Sequence, residues 1–180
     1  MIDIDRIRSL VNRLARLDAG AGWEGDINPA QRAALDYLAR ANRFSRSPSV
    51  VADYLGSTRG TVSQTLKSLA RKGLVAEERS TGDRRSISYR VTAAGLHEAS
   101  RPGPLVDALA EIREPDRLAL ANDLEGLLRR AVRSGGNKPF GICRNCLHFR
   151  PGDKGGFCSL LSLPLEAEET LKICHEQEPA

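Results

Sequence analysis

Leu55–Gly73 reads LGSTRGTVSQTLKSLARKG and contains the start and stop signals of consecutive helices. Gly56 can end one helix, Ser57 or Thr58 can cap the next, and Gly73 can end that one. The apolar residues between these signals recur at the i, i+4, i+7 spacing of a buried helical stripe: Val62, Leu66 and Leu69. The spacing therefore predicts two helices joined at Gly56, the second of which buries one face.

The opposite face of this second helix is polar. Its side chains are of the kinds that hydrogen-bond base edges and phosphates, namely Arg59, Thr61, Ser63, Gln64 and Lys67. Ser57 and Thr58 stand at the N-terminus, where free amides and the helix dipole favour phosphate. Because an α-helix fits the major groove of B-DNA, we expect all seven residues to lie at a DNA interface. Most amphipathic helices have a polar outer face, so the prediction also depends on the residues after Gly73.

A β-hairpin is predicted directly after this helix. Residues 74–79 can form one strand, and apolar and polar residues alternate over 87–91. Between them, turn-forming residues precede Asp83, Arg84 and Arg85. The two guanidinium groups can enter the minor groove, and Asp83 can hold one of them by a charge-assisted hydrogen bond. A helix pair followed by a basic hairpin is the layout of a winged helix-turn-helix.

The positive charge of the chain is concentrated in the same region. The 180 residues carry 27 basic and 23 acidic side chains, a net charge of +4. Residues 57–90 alone hold eight basic and three acidic side chains, a net charge of +5. A local basic patch in an otherwise near-neutral chain is typical of a protein that binds the phosphate backbone.

Amphipathic helices are predicted at both ends of this unit. The first has apolar residues at helical spacing: Ile4, Ile7, Leu10, Val11, Leu14 and Leu17. The second pattern spans residues 105–132, with a helix restart near residue 115, and its apolar residues are Leu105, Leu109, Ile112, Leu118, Leu120, Leu124, Leu127, Leu128 and Val132. Two interpretations fit these residues equally, a dimer seam and a core within one chain.

Four motifs, in this order, resemble the MarR family of transcriptional regulators. They are LGSTRGTVS at 55–63, LARKGLV at 69–75, Asp83-Arg84-Arg85, and VTAAG at 91–95. The resemblance covers residues 1–133. It implies a homodimer whose first and last helices form the interface and which binds a pseudo-palindromic operator in double-stranded DNA. The wing-tip Asp-x-Arg of the family falls on Asp83 and Arg85.

All four cysteines lie after residue 138, separated by two, eleven and fifteen residues: Cys143, Cys146, Cys158 and Cys174. Four thiolates are a full ligand set for tetrahedral zinc or for an iron–sulfur cluster. A segment this short and this poor in apolar residues also needs a metal to stabilise its fold. Ordinary buried cysteines, a disulfide and a thiol switch are the alternatives.

The spacing favours an iron–sulfur cluster, [4Fe–4S] or [2Fe–2S], over Zn²⁺. A zinc ribbon usually has two Cys-x-x-Cys pairs, whereas Cys158 and Cys174 stand alone beside apolar residues. Three aromatic residues of this segment can shield a cluster from water: Phe140, Phe149 and Phe157. His148 and His175 are possible substitute ligands that we leave out of the predicted set.

Several classes of function have no support in the sequence. It has no phosphate-binding glycine loop, no nucleophile elbow and no His-Glu-x-x-His, so we do not expect an enzyme. No apolar run approaches the roughly 18 residues that span a bilayer, and the N-terminus lacks the pattern of a signal peptide. We therefore expect a cytoplasmic protein without a membrane partner, whose thiols stay reduced.

The sequence predicts a mainly α protein with a small β-hairpin wing, of α+β class. Residues 1–133 are the winged helix-turn-helix and dimerisation domain, and residues 134–180 are a small metal-stapled module. The predicted function is a dimeric DNA-binding transcriptional regulator whose operator affinity depends on the cluster, through redox or iron sensing. The module is expected to act through its linker on the dimerisation helices. The alternative is a MarR-like regulator with a purely structural zinc site that stabilises the dimer or docks a partner.

Overall fold

The structure, a computed structural model, describes residues 3–20, 26–79, 87–136 and 138–180. Its helices in these ranges are α1 Ile4–Gly20, α2 Pro29–Arg40, α3 Pro48–Leu55, α4 Arg59–Arg71, α5 Ala93–Ala99, α6 Pro104–Ala110 and α7 Glu114–Ser134. Its strands are β1 Val75–Arg79, β2 Ile87–Val91, β3 Gly141–Ile142, β4 Phe149–Gly152, β5 Gly155–Cys158, β6 Leu163–Glu166 and β7 Ile173–Cys174. Two short 3₁₀ helices, Cys143–Asn145 and Ala167–Leu171, complete the C-terminal part. None of the described helices is long and apolar enough to cross a membrane.

Polar side chains fix where the helices of the first half begin. Asn28 accepts a hydrogen bond from the backbone N–H of Gln31 at 2.9 Å, and the Gln31 side chain accepts one from Asn28 in return. Ser47 caps α3 and Thr58 caps α4 in the same way. Gly56 ends α3 in the left-handed region, at φ +59°. These findings confirm the predicted helix end at Gly56 and the predicted cap of the next helix, which is Thr58.

The core of the DNA-binding unit lies among α2, α3, α4 and the hairpin. Leu35 and Leu38 from α2, together with Leu66 and Leu69 from α4, are completely buried, and Val62 is 2% exposed. The predicted apolar stripe of α4 is thereby confirmed as its buried face. Burial of each such side chain stabilises the fold by about 1.5–3 kcal/mol, so this contact holds α4 firmly in place.

The hairpin is antiparallel, with Val75 opposite Val91 and Arg79 opposite Ile87. The prediction of two strands here is confirmed. The tip of the hairpin, residues 80–86, lies outside the described residues. The contacts expected of Asp83, Arg84 and Arg85 therefore stay predictions.

We expect Gly95→Ala to destabilise the fold by about 1–3 kcal/mol. A Cβ at Gly95 would lie 2.0 Å from the carbonyl oxygen of Leu74. The start of α5 would have to move, although Thr92 holds it by accepting from the Gly95 N–H and by donating to the Gly73 carbonyl. Urea unfolding measures the loss. Gly60→Ala on α4 is the control, because a Cβ there meets Thr58 Oγ1 only at 4.0 Å and should leave stability equal or higher. Equal stability of the two variants would contradict the prediction.

The helices at the two ends of the unit leave their apolar faces uncovered. α1 and α7 contain no buried residue. Leu118 and Leu128 are 62% and 61% exposed, and the leucines of α1 are similarly open. The exposed leucines of α1 and α7 are therefore not part of a core within one chain, whereas Leu105, Leu109, Ile112 and Val132 are half-buried. The dimer seam stays a prediction.

The C-terminal part is built from short strands. β3 pairs with β7, and β4, β5 and β6 form a three-stranded antiparallel sheet. These strands hold the cysteines in place, because Cys158 lies opposite Phe149 and Cys174 lies opposite Gly141. The sequence predicted a small module here but did not predict its strands.

Candidate nucleic-acid interface and cysteine cluster

The outer face of α4 is open and polar. Arg59, Thr61, Gln64 and Lys67 are exposed, and Ser63 is half-buried. Ser57 and Thr58 are exposed just before the helix. The hydroxyls of Thr58 and Thr61 are 2.8 Å apart, and Thr58 also accepts from the Thr61 N–H. All seven predicted residues are thus at least partly exposed, with Thr58 engaged as the N-cap, and their contact with DNA stays a prediction.

The basic side chains of the region differ in how strongly they are already paired. On the wing strands, Arg79 lies 3.2 Å from Glu77 and Arg90 lies 2.7 Å from Glu78. Lys72, after α4, donates to the side-chain oxygen of Gln31 at 2.9 Å. Arg59 and Lys67, in contrast, have no ion pair with any described residue. These two cations on the outer face of α4 are therefore available to phosphate.

A buried glutamine holds α4 against α2. Gln31 is 7% exposed, and its side-chain nitrogen donates to Ser68 Oγ at 2.9 Å. The same side chain caps α2 and accepts from Lys72, so it joins both helices. Sequence reasoning missed this residue. The capping-box spacing from Asn28 to Gln31 was the signal that could have found it.

Two of the four cysteines lie side by side. Cys143 and Cys174 are buried, at 6% and 7% exposure, and belong to the same small cluster. The interaction between the two sulfurs lowers the pKa of Cys174 and raises the pKa of Cys143. The side-chain amide of Asn42 donates to Cys143 Sγ at 3.3 Å, and the backbone N–H of Glu176 helps to lower the pKa of Cys174. Such donors stabilise thiolates, the form that binds metals.

The other two cysteines are half-buried and near this pair. Cys158 packs against the small cluster of Cys143, Cys174 and Leu165. The backbone N–H of Cys146 donates to the carbonyl of Cys143 at 3.1 Å, which closes the turn between them. In the described residues, no three His, Cys, Asp or Glu side chains stand in an arrangement that could hold a metal ion. A centre bound by all four thiolates therefore requires thiols to rotate toward the Cys143–Cys174 pair.

The aromatic neighbours of the cysteines have separate roles. Phe149 packs against the cysteine cluster, but Phe140 lies in the core of the DNA-binding unit, edge-on to Tyr54 with 5.1 Å between ring centroids. Phe157 is 42% exposed. Of the three predicted shielding residues, the described structure places Phe149 alone against the cysteines.

Each histidine of this part lies near a glutamate. His175 Nε2 is 2.9 Å from Glu176, while Nδ1 lies 3.1 Å from Ser45 Oγ. The Nε2 atom of His148 is buried and 3.4 Å from Glu178, with poor hydrogen-bond geometry. The exclusion of both histidines from the ligand set stays a prediction.

Residues 25–86 match the sequence profile of the MarR family. The helix-turn-helix segment is MarR-like. A MarR transcriptional regulator from Methanosarcina mazei Go1 is 21% identical, with a TM-score of 0.58 over 72% of this chain and 98% of that chain. FabT from Streptococcus pneumoniae, in complex with DNA, is 24% identical, with a TM-score of 0.55 over 72% and 97%. A MepR–DNA complex from S. aureus is 19% identical, with a TM-score of 0.56 over 72% and 99%. Among curated proteins, none matches this chain.

These similarities show that the MarR-type winged-helix fold is present. They also show that more than a quarter of this chain has no counterpart in the three structures, since each match covers 72% of it. The cysteine-containing part must therefore be interpreted from its own contacts.

The cysteine module docks directly on the MarR-like unit, at residues 41–47, which we call the α2–α3 connection. The backbone N–H of Asn42 donates to the Ile173 carbonyl at 2.9 Å, and Ala41 and Ile173 form a β-bridge. Arg43 pairs with Glu169 and donates to the Pro164 carbonyl. From the sequence we expected the linker to carry the influence of the module to the dimerisation helices. That expectation stays a prediction, and the structure shows in addition direct contacts at the connection that leads into α3.

Proposed function

We propose that this protein is a transcriptional regulator that binds double-stranded DNA through the outer face of α4. The observation that carries this proposal is the position of α4. One face is buried in the core, and the other presents Arg59 and Lys67, unpaired within the described ranges, beside Gln64. Arginine and glutamine are side chains that read base edges in the major groove. The MarR match and the DNA complexes of FabT and MepR support the proposal. No catalytic role is proposed.

The regulator acts as a homodimer. The uncovered apolar faces of α1 and α7 are the surfaces that a second copy would bury, because large exposed apolar patches on a folded chain mark interaction sites. A two-fold axis through these helices presents two copies of α4 to the same side of a duplex. A pseudo-palindromic operator with half-sites roughly 34 Å apart matches such a dimer.

DNA binding is tested with duplexes selected from a random-sequence pool. Arg59→Ala is expected to weaken binding of the selected duplex by about 10–100-fold, the size of one lost base contact. Lys67→Ala is expected to weaken binding to every sequence and to reduce the salt dependence by about one phosphate contact. Fluorescence anisotropy at several salt concentrations measures both effects. Lys154→Ala, an exposed lysine in the β4–β5 turn, is the control and should change neither. Unchanged binding by both α4 variants would contradict the proposal.

We further propose that Cys143, Cys146, Cys158 and Cys174 bind an iron–sulfur cluster that controls DNA affinity. Three observations support a metal centre: the adjacent Cys143 and Cys174 sulfurs, the donors aimed at them, and the packing of Cys158 on the same cluster. Hydrogen bonds to sulfur are among the features that tune cluster potentials. Redox change or loss of the cluster would then alter the module and, through it, the helix-turn-helix.

Metal analysis of protein purified without oxygen tests this second proposal. We expect iron and acid-labile sulfide, with visible absorption that is lost on exposure to a chelator. If the protein is colourless and contains one zinc per chain, the cysteine centre is a zinc site and not an iron–sulfur cluster. In that case, DNA affinity that is unchanged on zinc removal would make the site structural.

A further inference from the structure

Asn42 lies at the centre of the contact between the cysteines and the DNA-binding helices. Its side chain is buried, at 1% exposure. The side-chain nitrogen donates to Cys143 Sγ at 3.3 Å. The side-chain oxygen accepts from the Phe44 N–H at 3.1 Å and from Ser45 Oγ at 2.7 Å. One amide therefore joins a cysteine of the module to the turn of the α2–α3 connection.

The α2–α3 connection is in turn bonded to three elements of the DNA-binding unit. The hydroxyl of Tyr37 on α2 donates to the Ser45 carbonyl at 2.8 Å. The backbone N–H of Tyr89 on β2 donates to the Arg46 carbonyl at 3.1 Å. Ser47 caps α3, which packs on α4. A displacement at Asn42 would therefore reach both the helix-turn-helix and the wing.

The position of the Cys143 sulfur decides whether the Asn42 amide keeps its partner. The sulfur lies 3.3 Å from the side-chain nitrogen of Asn42, and a shift of the cysteine away from it breaks this hydrogen bond. The amide is buried, so leaving its N–H without a partner is costly and favours rotation of the side chain. Rotation would remove the oxygen that Phe44 and Ser45 share. Two states of Cys143, in contact with Asn42 or displaced from it, thus correspond to two states of the connection.

We propose that Asn42 is a positioning residue that transmits the state of Cys143 to α3 and to the wing. This inference rests on the proposed function for its regulatory meaning, because it names the route by which the cysteine centre controls DNA affinity. The route itself consists of contacts within one chain and can be tested without a metal. Neither the linker nor the dimerisation helices are needed for it.

A double-mutant cycle on the full chain tests the route. The variants are Cys143→Ala, Asn42→Ala and the double variant, and the readout is amide hydrogen exchange over residues 41–55. We expect Cys143→Ala to speed exchange there about fivefold or more in the wild-type background, and less than about twofold when Asn42 is already alanine. Equal acceleration in both backgrounds would overturn the proposal. If Asn42 only stabilises the fold, Cys143→Ala should speed hydrogen exchange equally in both backgrounds.

Two further variants keep the test decisive if Asn42→Ala unfolds. Asn42→Asp retains an oxygen for Phe44 and Ser45 but lacks the N–H that donates to Cys143, so it is expected to act like the alanine variant in the cycle. Asn145→Ala, an exposed asparagine of the module, should leave the full effect of Cys143→Ala in place. The proposal is wrong if Asn42→Asp also preserves that full effect.

DNA affinity before and after metal removal separates this inference from the proposed function. Suppose that metal removal changes DNA affinity equally in the wild type and in Asn42→Asp. Sensing is then supported, and Asn42 is not its route. If the double-mutant cycle is non-additive but metal removal leaves DNA affinity unchanged, the Asn42 route is supported and sensing is contradicted.

Discussion

Cys146→Ser should abolish the dependence of DNA affinity on the cysteine centre and leave the DNA-binding unit folded. Cys146 is half-buried and belongs to the module, outside the core formed by α2, α3 and α4. Its loss removes one of the four proposed ligands, so the metal content should fall to background. A metal present at a thousand times its dissociation constant stabilises the folded state by about 4 kcal/mol, and the variant should lose that increment.

The measurement compares metal content, thermal unfolding and DNA affinity of loaded and stripped protein. The variant should bind DNA as stripped wild-type protein does, under both conditions. Asn145→Ala changes the exposed neighbouring residue and should behave as wild type. If Cys146→Ser keeps the wild-type metal content and the wild-type response, the sensing role is wrong.

Leu10→Asp combined with Leu124→Asp should convert the protein to a monomer and weaken operator binding by about 100-fold or more. Leu10 on α1 and Leu124 on α7 are 51% and 47% exposed in the single chain, on the faces assigned to the dimer. A charge placed in an apolar interface must be desolvated without a partner, which opposes association. A monomer then binds only one half-site. Binding at the second half-site no longer gains from the high effective concentration that a dimer provides.

Analytical ultracentrifugation gives the oligomeric state, and anisotropy gives the affinity. Leu171→Asp is the matched control, since this leucine is 55% exposed but lies in the 3₁₀ helix of the module. It should leave a dimer with normal affinity. A dimer that survives both aspartates on α1 and α7 would place the interface elsewhere.

The helical frame could be predicted because its signals are local. Asn28, Ser47 and Thr58 each bond to a backbone N–H three residues away, so the sequence alone contains both partners. The stripe Val62, Leu66 and Leu69 is equally local, because helical geometry places the three on one face whatever surrounds them. The outer face of α4 followed from the same geometry.

The docking of the module could not be predicted in this way. Asn42 and Cys143 are 101 positions apart, and nothing near Asn42 distinguishes it from a polar residue in a surface loop. Phe140 illustrates the same limit. Its position beside the cysteines suggested a shield for a cluster, but its ring packs on Tyr37 and Tyr54. Such contacts depend on which surfaces meet, and a periodic pattern does not encode that.

The place of Phe140 and Ile173 in the main core has a consequence for biosynthesis. Both pack in the same core as Tyr37, Leu38 and Val51, although they come late in the chain. When only the helices have emerged from the ribosome, the core therefore lacks the residues that cover one of its sides. We expect the nascent winged helix to stay open to chaperones and proteases until translation reaches the last strand.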